Sequence, residues 1–298
     1  MNAFVAPIKK ETLIIIGNGM VGHHCIEQLV EQGALAHYQV HVFGEERQRA
    51  YDRVHLSEYF GGRDAESLAL CAADYYSEHG VHAHLHEAVL EIDREQQEVV
   101  TANGRIAYDK LILATGSYPF VPPIPGADGN SRLVYRTLDD LDAIRAAAAG
   151  ARRGVVVGGG LLGLEAANAL KSLGLEAHVV EFAPRLMPVQ LDEDGGAALK
   201  ARIEALGVGV HLSRATSDIV AGEDYAYRMN FADGESLETD LIVFSAGIRP
   251  QDTLARAAGL TVAERGGVVI DDGFCTNDPA IFAIGECASW QGRVFGLV

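Results

Sequence analysis

Several features are missing from this sequence, and each absence removes a class of protein. Its four cysteines, Cys25, Cys71, Cys275 and Cys287, form neither a C-x-x-C pair nor a zinc-ligand spacing. No stretch approaches the roughly 20 apolar residues needed to cross a bilayer, and the segment before Thr12 lacks the features of a secretory signal. We therefore expect a cytoplasmic protein with no disulfides, no membrane span and no metal site.

The sequence also lacks any run of lysine or arginine. It has 24 basic residues against 41 acidic ones, which gives a net charge of -17. This balance argues against nucleic acid or an anionic membrane as a partner. A basic protein partner remains possible, although the acidity can also serve only to keep the protein soluble.

What the sequence does contain is ample core material and much glycine. Its 298 residues, 48% of them hydrophobic, are enough for about two domains. The 33 glycines are scattered through tight turns and follow no period. This pattern favours an α/β protein.

The clearest pattern is a glycine-rich turn between a strand and a helix. Residues 12–16 are apolar and β-branched, and the string Gly17-Asn18-Gly19-Met20-Val21-Gly22 follows them. Apolar residues then recur at helical spacing, and residues 39–43 form a second strand that ends before Glu45. The segment therefore predicts one βαβ unit.

The same pattern returns about 140 residues later. Residues 154–157 predict a strand, which is followed by Gly158-Gly159-Gly160-Leu161-Leu162-Gly163. Residues 164–173 predict a helix, and residues 177–180 a strand that ends at Glu181. The chain thus duplicates its architecture, and either each copy binds its own nucleotide or one copy has lost that role.

The glycine spacing is typical of a dinucleotide site. In G-x-G-x-x-G, the first glycine makes the turn, the second lets the backbone approach a pyrophosphate and the third lets helix and strand pack closely. The helix N-terminus offers free N–H groups to the phosphates. Glu45 and Glu181 can accept hydrogen bonds from a ribose, and Glu181 would repel a 2′-phosphate, which favours NADH over NADPH. The alternative for each is an exposed carboxylate at a strand end.

Further elements are predicted between and after these units. A helix is expected over residues 65–78, with strands over 81–85, 89–92, 99–101, 111–114, 208–212, 227–231, 241–244 and 281–284. His82, His84 and His86 alternate along one of these strands, so they could share a face and bind a metal, although a solvated strand face is the better interpretation.

Longer strings carry a family resemblance over essentially the whole chain. The two glycine turns, Ala114-Thr115-Gly116, Gly247-Ile248-Arg249-Pro250 and Ala283-Ile284-Gly285-Glu286 resemble the pyridine nucleotide-disulfide reductase superfamily, in the branch of ferredoxin and rubredoxin reductases. The strings at Tyr51–Ser57, Glu181–Met187 and Gly285–Trp290 resemble the N-terminal part of NADH-dependent nitrite reductase large subunits.

The resemblance implies two Rossmann-like domains, with an NAD-binding domain (residues 119–246) inserted into an FAD-binding domain (residues 1–118 and 247–298). It assigns to FAD the residues Gly17, Gly19, Gly22, Glu45, Arg53, Thr115 and Glu286. Val89, Gly116 and Gly247 are further predicted cofactor-binding residues. Glu286 stands where the family usually has an aspartate. The residues assigned to NADH are Gly158, Gly160, Gly163 and Glu181.

The resemblance also places Glu165, one turn into its helix, near the nicotinamide and the flavin. A carboxylate favoured by the helix dipole is the alternative interpretation. The implied activity is electron transfer from NADH through FAD toward an iron–sulfur and sirohaem centre that reduces nitrite to ammonia. The alternatives are a stand-alone ferredoxin or rubredoxin reductase, or a nucleotide-binding module without turnover.

The sequence departs from its relatives in two ways. Residues 53–62 contain none of the cysteines that disulfide reductases use beside the flavin, and Glu58 follows Leu56-Ser57 where ferredoxin reductase relatives commonly have lysine. The chain also has no cysteine cluster for an iron–sulfur centre and stops at Val298, where a family helix facing the flavin would begin. We therefore expect a diaphorase part, with electrons passing to an external or downstream acceptor and with weakened retention of FAD.

Overall fold

The computed structural model describes residues 9–128 and 131–294. Contacts divide the described residues into two compact units, the first within residues 9–52, 65–118 and 249–294 and the second within residues 53–64, 119–128 and 131–248. The segment 53–64, which the sequence assigned to the FAD-binding domain, therefore packs with the second unit. The nucleotide that each unit binds remains a prediction.

The strands and helices are numbered here along the chain. The strands are β1 Glu11–Ile16, β2 Tyr38–Gly44, β3 His82–Leu85, β4 Val89–Asp93, β5 Glu98–Thr101, β6 Gly104–Ala107, β7 Lys110–Leu113, β8 Ser117–Pro119, β9 Leu133–Val134, β10 Arg153–Val157, β11 Glu176–Val180, β12 Gly209–His211, β13 Thr216–Ala221, β14 Tyr227–Phe231, β15 Ser236–Thr239, β16 Leu241–Phe244, β17 Ile248–Pro250, β18 Val268–Ile270, β19 Ile281–Ala283, β20 Ala288–Trp290 and β21 Arg293–Val294. The helices are α1 Met20–Glu31, α2 Ala65–Leu68, α3 Tyr75–Glu78, α4 Leu138–Ala148, α5 Leu161–Ser172, α6 Glu193–Ala205 and α7 Thr253–Ala257.

A parallel sheet with the strand order β19-β7-β1-β2-β3 forms the centre of the first unit. The central strand β1 is buried on both faces, which is why it reads as a continuous apolar run. Leu13 and Ile15 pack on the side of α1, while Ile14 and Ile16 pack against the opposite core with Val99 of β5. The antiparallel strands β4, β5 and β6 complete this unit's second layer.

The second unit repeats this plan. Its parallel sheet has the order β12-β11-β10-β16-β9, and β13, β14 and β15 form an antiparallel sheet beside it. Val155 and Val157 of β10 pack in one cluster with Met229 and Phe231 of β14. The two parallel sheets confirm the predicted α/β class, and in both units the glycine-rich turn joins a central strand to a helix.

The predicted helix over residues 65–78 is wrong. Only α2 and α3, four residues each, are helical. Between them the chain turns to pair with an earlier segment: the backbone N–H of Leu70 donates to Ala50, and that of Asp52 donates to Leu68. Hydrogen bonds to a distant segment thus replace those that a continuous helix would have made.

The strand predicted over residues 81–85 is present as β3, but it does not hold all three alternating histidines. His82 and His84 lie in β3, but His86 has φ of 55° and lies outside the strand. The third histidine of the group is instead His41 of β2, whose ring stacks on the rings of both His82 and His84. No group of residues suited to a metal ion occurs within the described ranges.

The length and apolar content of a helix decide whether it could cross a membrane. Among the described residues, no helix is both long enough and apolar enough to cross a bilayer. The family helix expected to begin near Val298 lies outside the described residues.

Candidate functional site

The first glycine turn, after β1, has two glycines that the protein's own backbone requires. A Cβ at Gly17 would lie 2.1 Å from the carbonyl oxygen of Ala114, and one at Gly22 would lie 2.0 Å from that of Gly17. A Cβ at Gly19, in contrast, would meet nothing within 4 Å. The chain itself therefore does not explain the middle glycine, and the open space above it suits the close approach of a ligand.

The second glycine turn, after β10, repeats this division. A Cβ at Gly158 would lie 2.2 Å from the carbonyl oxygen of Ser245, and one at Gly163 would lie 2.0 Å from that of Gly158. A Cβ at Gly160 would meet nothing within 4 Å. Both turns thus combine two structural glycines with one open middle position.

Helices of 12 residues begin at both open positions. Gly19 is the N-cap of α1 and Gly160 that of α5, and neither helix start has a side-chain cap or an acidic residue in its first turn. The first N–H groups of an α-helix have no partner within the helix and carry partial positive charge. Each turn therefore offers hydrogen-bond donors suited to a pyrophosphate.

The two predicted ribose carboxylates differ in their surroundings. Glu45 follows β2 directly and is exposed. The carboxylate of Glu181, which follows β11, accepts hydrogen bonds from the backbone N–H groups of Gly159 and Ala183. These bonds hold a negative charge beside the second turn, and the remaining lone pairs of its oxygens can accept further hydrogen bonds.

Three of the residues predicted to bind a cofactor lie at the carboxyl ends of β7 and β19. The Thr115 hydroxyl donates to the carbonyl oxygen of Gln251, and Gly116 accepts from the Gln251 backbone N–H at a φ of 68°. Glu286 lies in a short 3-10 helix after β19 and accepts a hydrogen bond of 2.6 Å from Ser117.

Two other residues predicted to bind a cofactor, Val89 and Arg53, lie in other segments of the chain. Val89 begins β4 and is buried. The guanidinium of Arg53 donates to the carbonyl oxygen of Arg136 within the second unit. The roles of Val89 and Arg53 in binding a cofactor remain predictions.

Cys287, the residue after Glu286, is not a reactive thiol. It is fully buried, its thiol donates to the carbonyl oxygens of Leu113 and Ile284, and burial raises its pKa. A thiol rather than a thiolate is therefore present at neutral pH. Together with the absence of cysteine from residues 53–62, this removes the cysteine chemistry of a disulfide reductase from this part of the chain.

Glu165 lies in the second turn of α5 and is half-buried. Burial raises its pKa, and the positive charge of His55 acts in the opposite direction. His55 and Glu165 both belong to the second unit. His55 can carry a positive charge, and it lies three residues before Glu58, which stands in place of the lysine common in relatives. The sequence did not single out His55.

A small cavity lies at the second turn, next to the start of α5. Its volume is about 70 Å³, and it is lined by Tyr135, Gly160, Leu162, Ser245 and Gly247, among others. Gly247 has φ of 102° and free space where a Cβ would be. The predicted residues Gly160 and Gly247 thus meet at one cavity of the second unit.

A hydrogen-bonded chain behind the first turn was not predicted from the sequence. The Tyr76 hydroxyl donates to Oδ1 of Asn18 at 2.7 Å, and Nδ1 of His23 lies 3.1 Å from the same hydroxyl. His23 and Tyr76 are buried. Nδ2 of Asn18 is also buried and has no partner among the described residues, which leaves a donor available at the turn.

A second feature missed by the sequence reasoning is a cavity of about 470 Å³ in the first unit. Its walls include Gln48 and Arg49, shortly after Glu45, together with Tyr76 and Ala83. Oε1 of Gln48 is buried without a partner among the described residues. No pattern in the sequence predicts this cavity, because its walls come from four separate segments.

These features fit dinucleotides at both turns. The open middle glycines leave space for a pyrophosphate, and the free helix N-termini and the Asn18 amide supply donors.

Comparison with known proteins agrees with this geometry. The nitrite reductase [NAD(P)H] large subunit of Klebsiella oxytoca is 60% identical over 97% of this chain, and the nitrite reductase (NADH) large subunit of Escherichia coli K12 is 54% identical over 98%. The chain covers only 30% and 35% of these two relatives. The predicted resemblance to their N-terminal part is therefore confirmed.

A solved structure and a family model give the same result. A ferredoxin reductase from Rhodopseudomonas palustris superposes with a TM-score of 0.84 at 29% identity, over 95% of this chain and 69% of the other. The model described as pyridine nucleotide-disulphide oxidoreductase matches residues 11–296. The chain therefore belongs to the pyridine nucleotide-disulphide oxidoreductase family.

Proposed function

We propose that this chain is the NADH-oxidising part of a nitrite reductase, with FAD at the first glycine turn and NADH at the second. The observation that carries the proposal is the pair of turns in which the first and third glycines are required by the fold and the middle one is open. The identity to nitrite reductase large subunits supports the assignment of the overall reaction.

The proposed roles of the residues follow from their positions. Gly19 and the start of α1 would hold the FAD pyrophosphate, Glu45 its ribose and Glu286 its ribitol chain. Gly160 and the start of α5 would hold the pyrophosphate of NADH. FAD, when bound, supplies a centre that takes up two electrons from NADH and releases them singly.

Glu181 would select NADH over NADPH. Its carboxylate is fixed beside the second turn by two backbone N–H groups, so that its charge opposes a 2′-phosphate. Comparing kcat/KM for the two nucleotides tests this role. A clear preference for NADPH would contradict it.

An anaerobic titration with NADH tests the oxidoreductase assignment directly. We expect NADH to bleach the oxidised-flavin absorption of the flavin-loaded chain. Unchanged absorption would instead favour a nucleotide-binding module without turnover.

A stand-alone ferredoxin or rubredoxin reductase is the second candidate. The match to the Rhodopseudomonas palustris ferredoxin reductase, which extends over 69% of that protein, favours it. Turnover with ferricyanide as acceptor would report on the diaphorase activity alone. Efficient reduction of added ferredoxin would support the second candidate, whereas reaction with the iron–sulfur and sirohaem regions of a nitrite reductase would support the first.

A further inference from the structure

Tyr135 stands at the edge of the second parallel sheet where a dinucleotide is proposed to lie. It directly follows β9, whose residues Leu133 and Val134 pair with Val243 and Phe244 of β16. Phe244 in turn pairs with Val157, the residue before the second glycine turn. Tyr135 therefore leaves the sheet at the same carboxyl edge as that turn, two strands away, and this is the edge at which α/β sheets bind ligands.

The hydroxyl of Tyr135 has no partner. The residue is only 4% exposed, and its buried hydroxyl forms no hydrogen bond with any described residue. The ring, in contrast, has a packing partner: it stacks on Phe60, with an angle of 21° between the ring planes and a centroid distance of 6.4 Å. A buried hydroxyl without a hydrogen-bond partner lowers the stability of the fold, and a phenylalanine at the same position would not carry this penalty. The hydroxyl is therefore unexplained by the fold.

The surroundings of Tyr135 give this hydroxyl a definite chemical character. Burial raises its pKa well above the usual value, and the nearby charge of Glu165 adds to that effect. The phenol thus keeps its proton throughout the neutral range and is a permanent donor. The half-buried Glu165 carboxylate, when ionised, is an acceptor only. A donor and an acceptor near the start of α5 therefore act on each other electrostatically.

The cavity beside Tyr135 has room for one small polar group. Its 70 Å³ correspond to about two molecules of water at roughly 30 Å³ each. Leu161 and Leu162 of α5 contribute to its walls, and so does Ser245, the residue after β16. A carboxamide matches this site, because its oxygen needs a donor and its NH₂ group needs an acceptor, and the cavity wall includes the hydroxyl-bearing residues Tyr135 and Ser245.

We infer that Tyr135 is a specificity-determining residue that donates a hydrogen bond to the carboxamide oxygen of the nicotinamide end of NAD(H). The inference rests on the proposed assignment of the second turn to NADH. A dinucleotide with its pyrophosphate at Gly160 runs along the carboxyl edge of the sheet, toward β16 and β9, and so toward Tyr135.

Tyr135→Phe tests the contact, because it removes only the hydroxyl. Binding of NAD⁺ and of ADP-ribose, which has the same adenosine and pyrophosphate but no nicotinamide, is measured on the full chain by calorimetry. We expect NAD⁺ to bind about tenfold more weakly to the variant and ADP-ribose to bind unchanged. We also expect the melting temperature without ligand to be equal to or higher than that of the wild type, since an unpaired buried hydroxyl is lost. Tyr227→Phe, on β14 of the same unit, is the matched control and should change neither affinity.

The other outcomes overturn the inference in distinguishable ways. Equal weakening of both ligands would mean that Tyr135 only shapes the fold around the turn. Unchanged binding of both would mean that the hydroxyl contacts no part of the nicotinamide. If wild-type protein binds ADP-ribose but gains nothing from the nicotinamide of NAD⁺, the inference fails while the nucleotide site stands. If wild-type protein binds neither ligand, the NADH assignment itself fails.

Discussion

At the scale of single residues, the glycines of the two turns separate into those that the fold requires and those that face open space. Gly17 and Gly22 face backbone atoms at distances that no Cβ can tolerate, and Gly19 faces open space. A spacing motif alone cannot make this distinction, because all three positions carry the same amino acid.

Gly19→Ala should therefore leave the fold intact and impair FAD binding. Its φ of −92° suits alanine, and the new methyl group would occupy the space proposed for the pyrophosphate. We expect an unchanged urea midpoint and a loss of FAD affinity of at least about tenfold, about 1.4 kcal/mol. Normal flavin content in this variant would contradict the role of the first turn.

Gly22→Ala is the matched comparison for the fold. Its methyl group would overlap the carbonyl oxygen of Gly17, a backbone atom that cannot move aside cheaply. We expect the free energy of unfolding to fall by about 1–3 kcal/mol, as for other overpacked sites. Urea denaturation of the two variants, carried out side by side, measures the contrast.

At the scale of secondary-structure elements, α3 supports the first turn through Tyr76. This hydroxyl joins the half-buried Asn18 in the turn to the buried His23 in α1. Tyr76→Phe would remove the hydrogen-bond partner of Asn18 Oδ1 and of the buried His23 ring, which costs about 1–3 kcal/mol of stability. We also expect weaker FAD binding, because Asn18 would lose the bond that orients its amide.

Tyr75→Phe provides the control for this element. Tyr75 precedes Tyr76 in α3 and contacts the His23 ring edge-on at 5.3 Å, but it does not bond to Asn18. Urea unfolding and FAD titration of both variants should separate the hydroxyl bridge from ring packing. Equal effects of the two substitutions would refute the proposed support of the turn.

The stacked histidines of β2 and β3 predict a dependence of stability on pH. Burial, with the charges of His82 and His84, lowers the pKa of His41 from 6.5 to about 4. Between these two values the unfolded chain binds a proton at His41 that the folded chain does not, so stability falls as pH falls from 6.5 to about 4. Below that range this contribution no longer changes.

His41→Gln should flatten this part of the stability profile. Glutamine does not titrate and can still hydrogen-bond to Nε2 of His84, which lies 3.0 Å from Nδ1 of His41. Urea unfolding of both proteins at several pH values between 7 and 4 measures the difference in slope. Because carboxylates titrate in both proteins, only the difference counts, and identical slopes would contradict the prediction.

At the scale of the whole molecule, the two units share one plan, and each has one glycine turn that is proposed to bind a nucleotide. If each turn binds its own nucleotide, damage to one should spare the other. Gly160→Ala should keep its FAD, while NADH binds at least about tenfold more weakly and bleaches the flavin only at correspondingly higher concentration. Flavin content and anaerobic titration measure the two effects, and loss of FAD from this variant would show that the sites are not independent.

The sequence by itself determined the features that depend on neighbouring residues. The apolar strand before Gly17 and the helical spacing after Gly22 are local, and so are their counterparts around Gly158 and Gly163, which is why both turns and the α/β class could be predicted. The long strings around Tyr51, Glu181 and Glu286 were specific enough to indicate the family.

Only the tertiary structure decided what surrounds those turns. The Ala114 carbonyl above Gly17, the Tyr76 bridge to Asn18 and the unpaired Tyr135 hydroxyl all depend on residues far apart in the chain. The break in the helix predicted over residues 65–78 has the same origin, since its backbone bonds to Ala50 and Asp52 instead. Periodicity records which side of an element faces the core, but burial and hydrogen-bond partners depend on which elements the fold brings together.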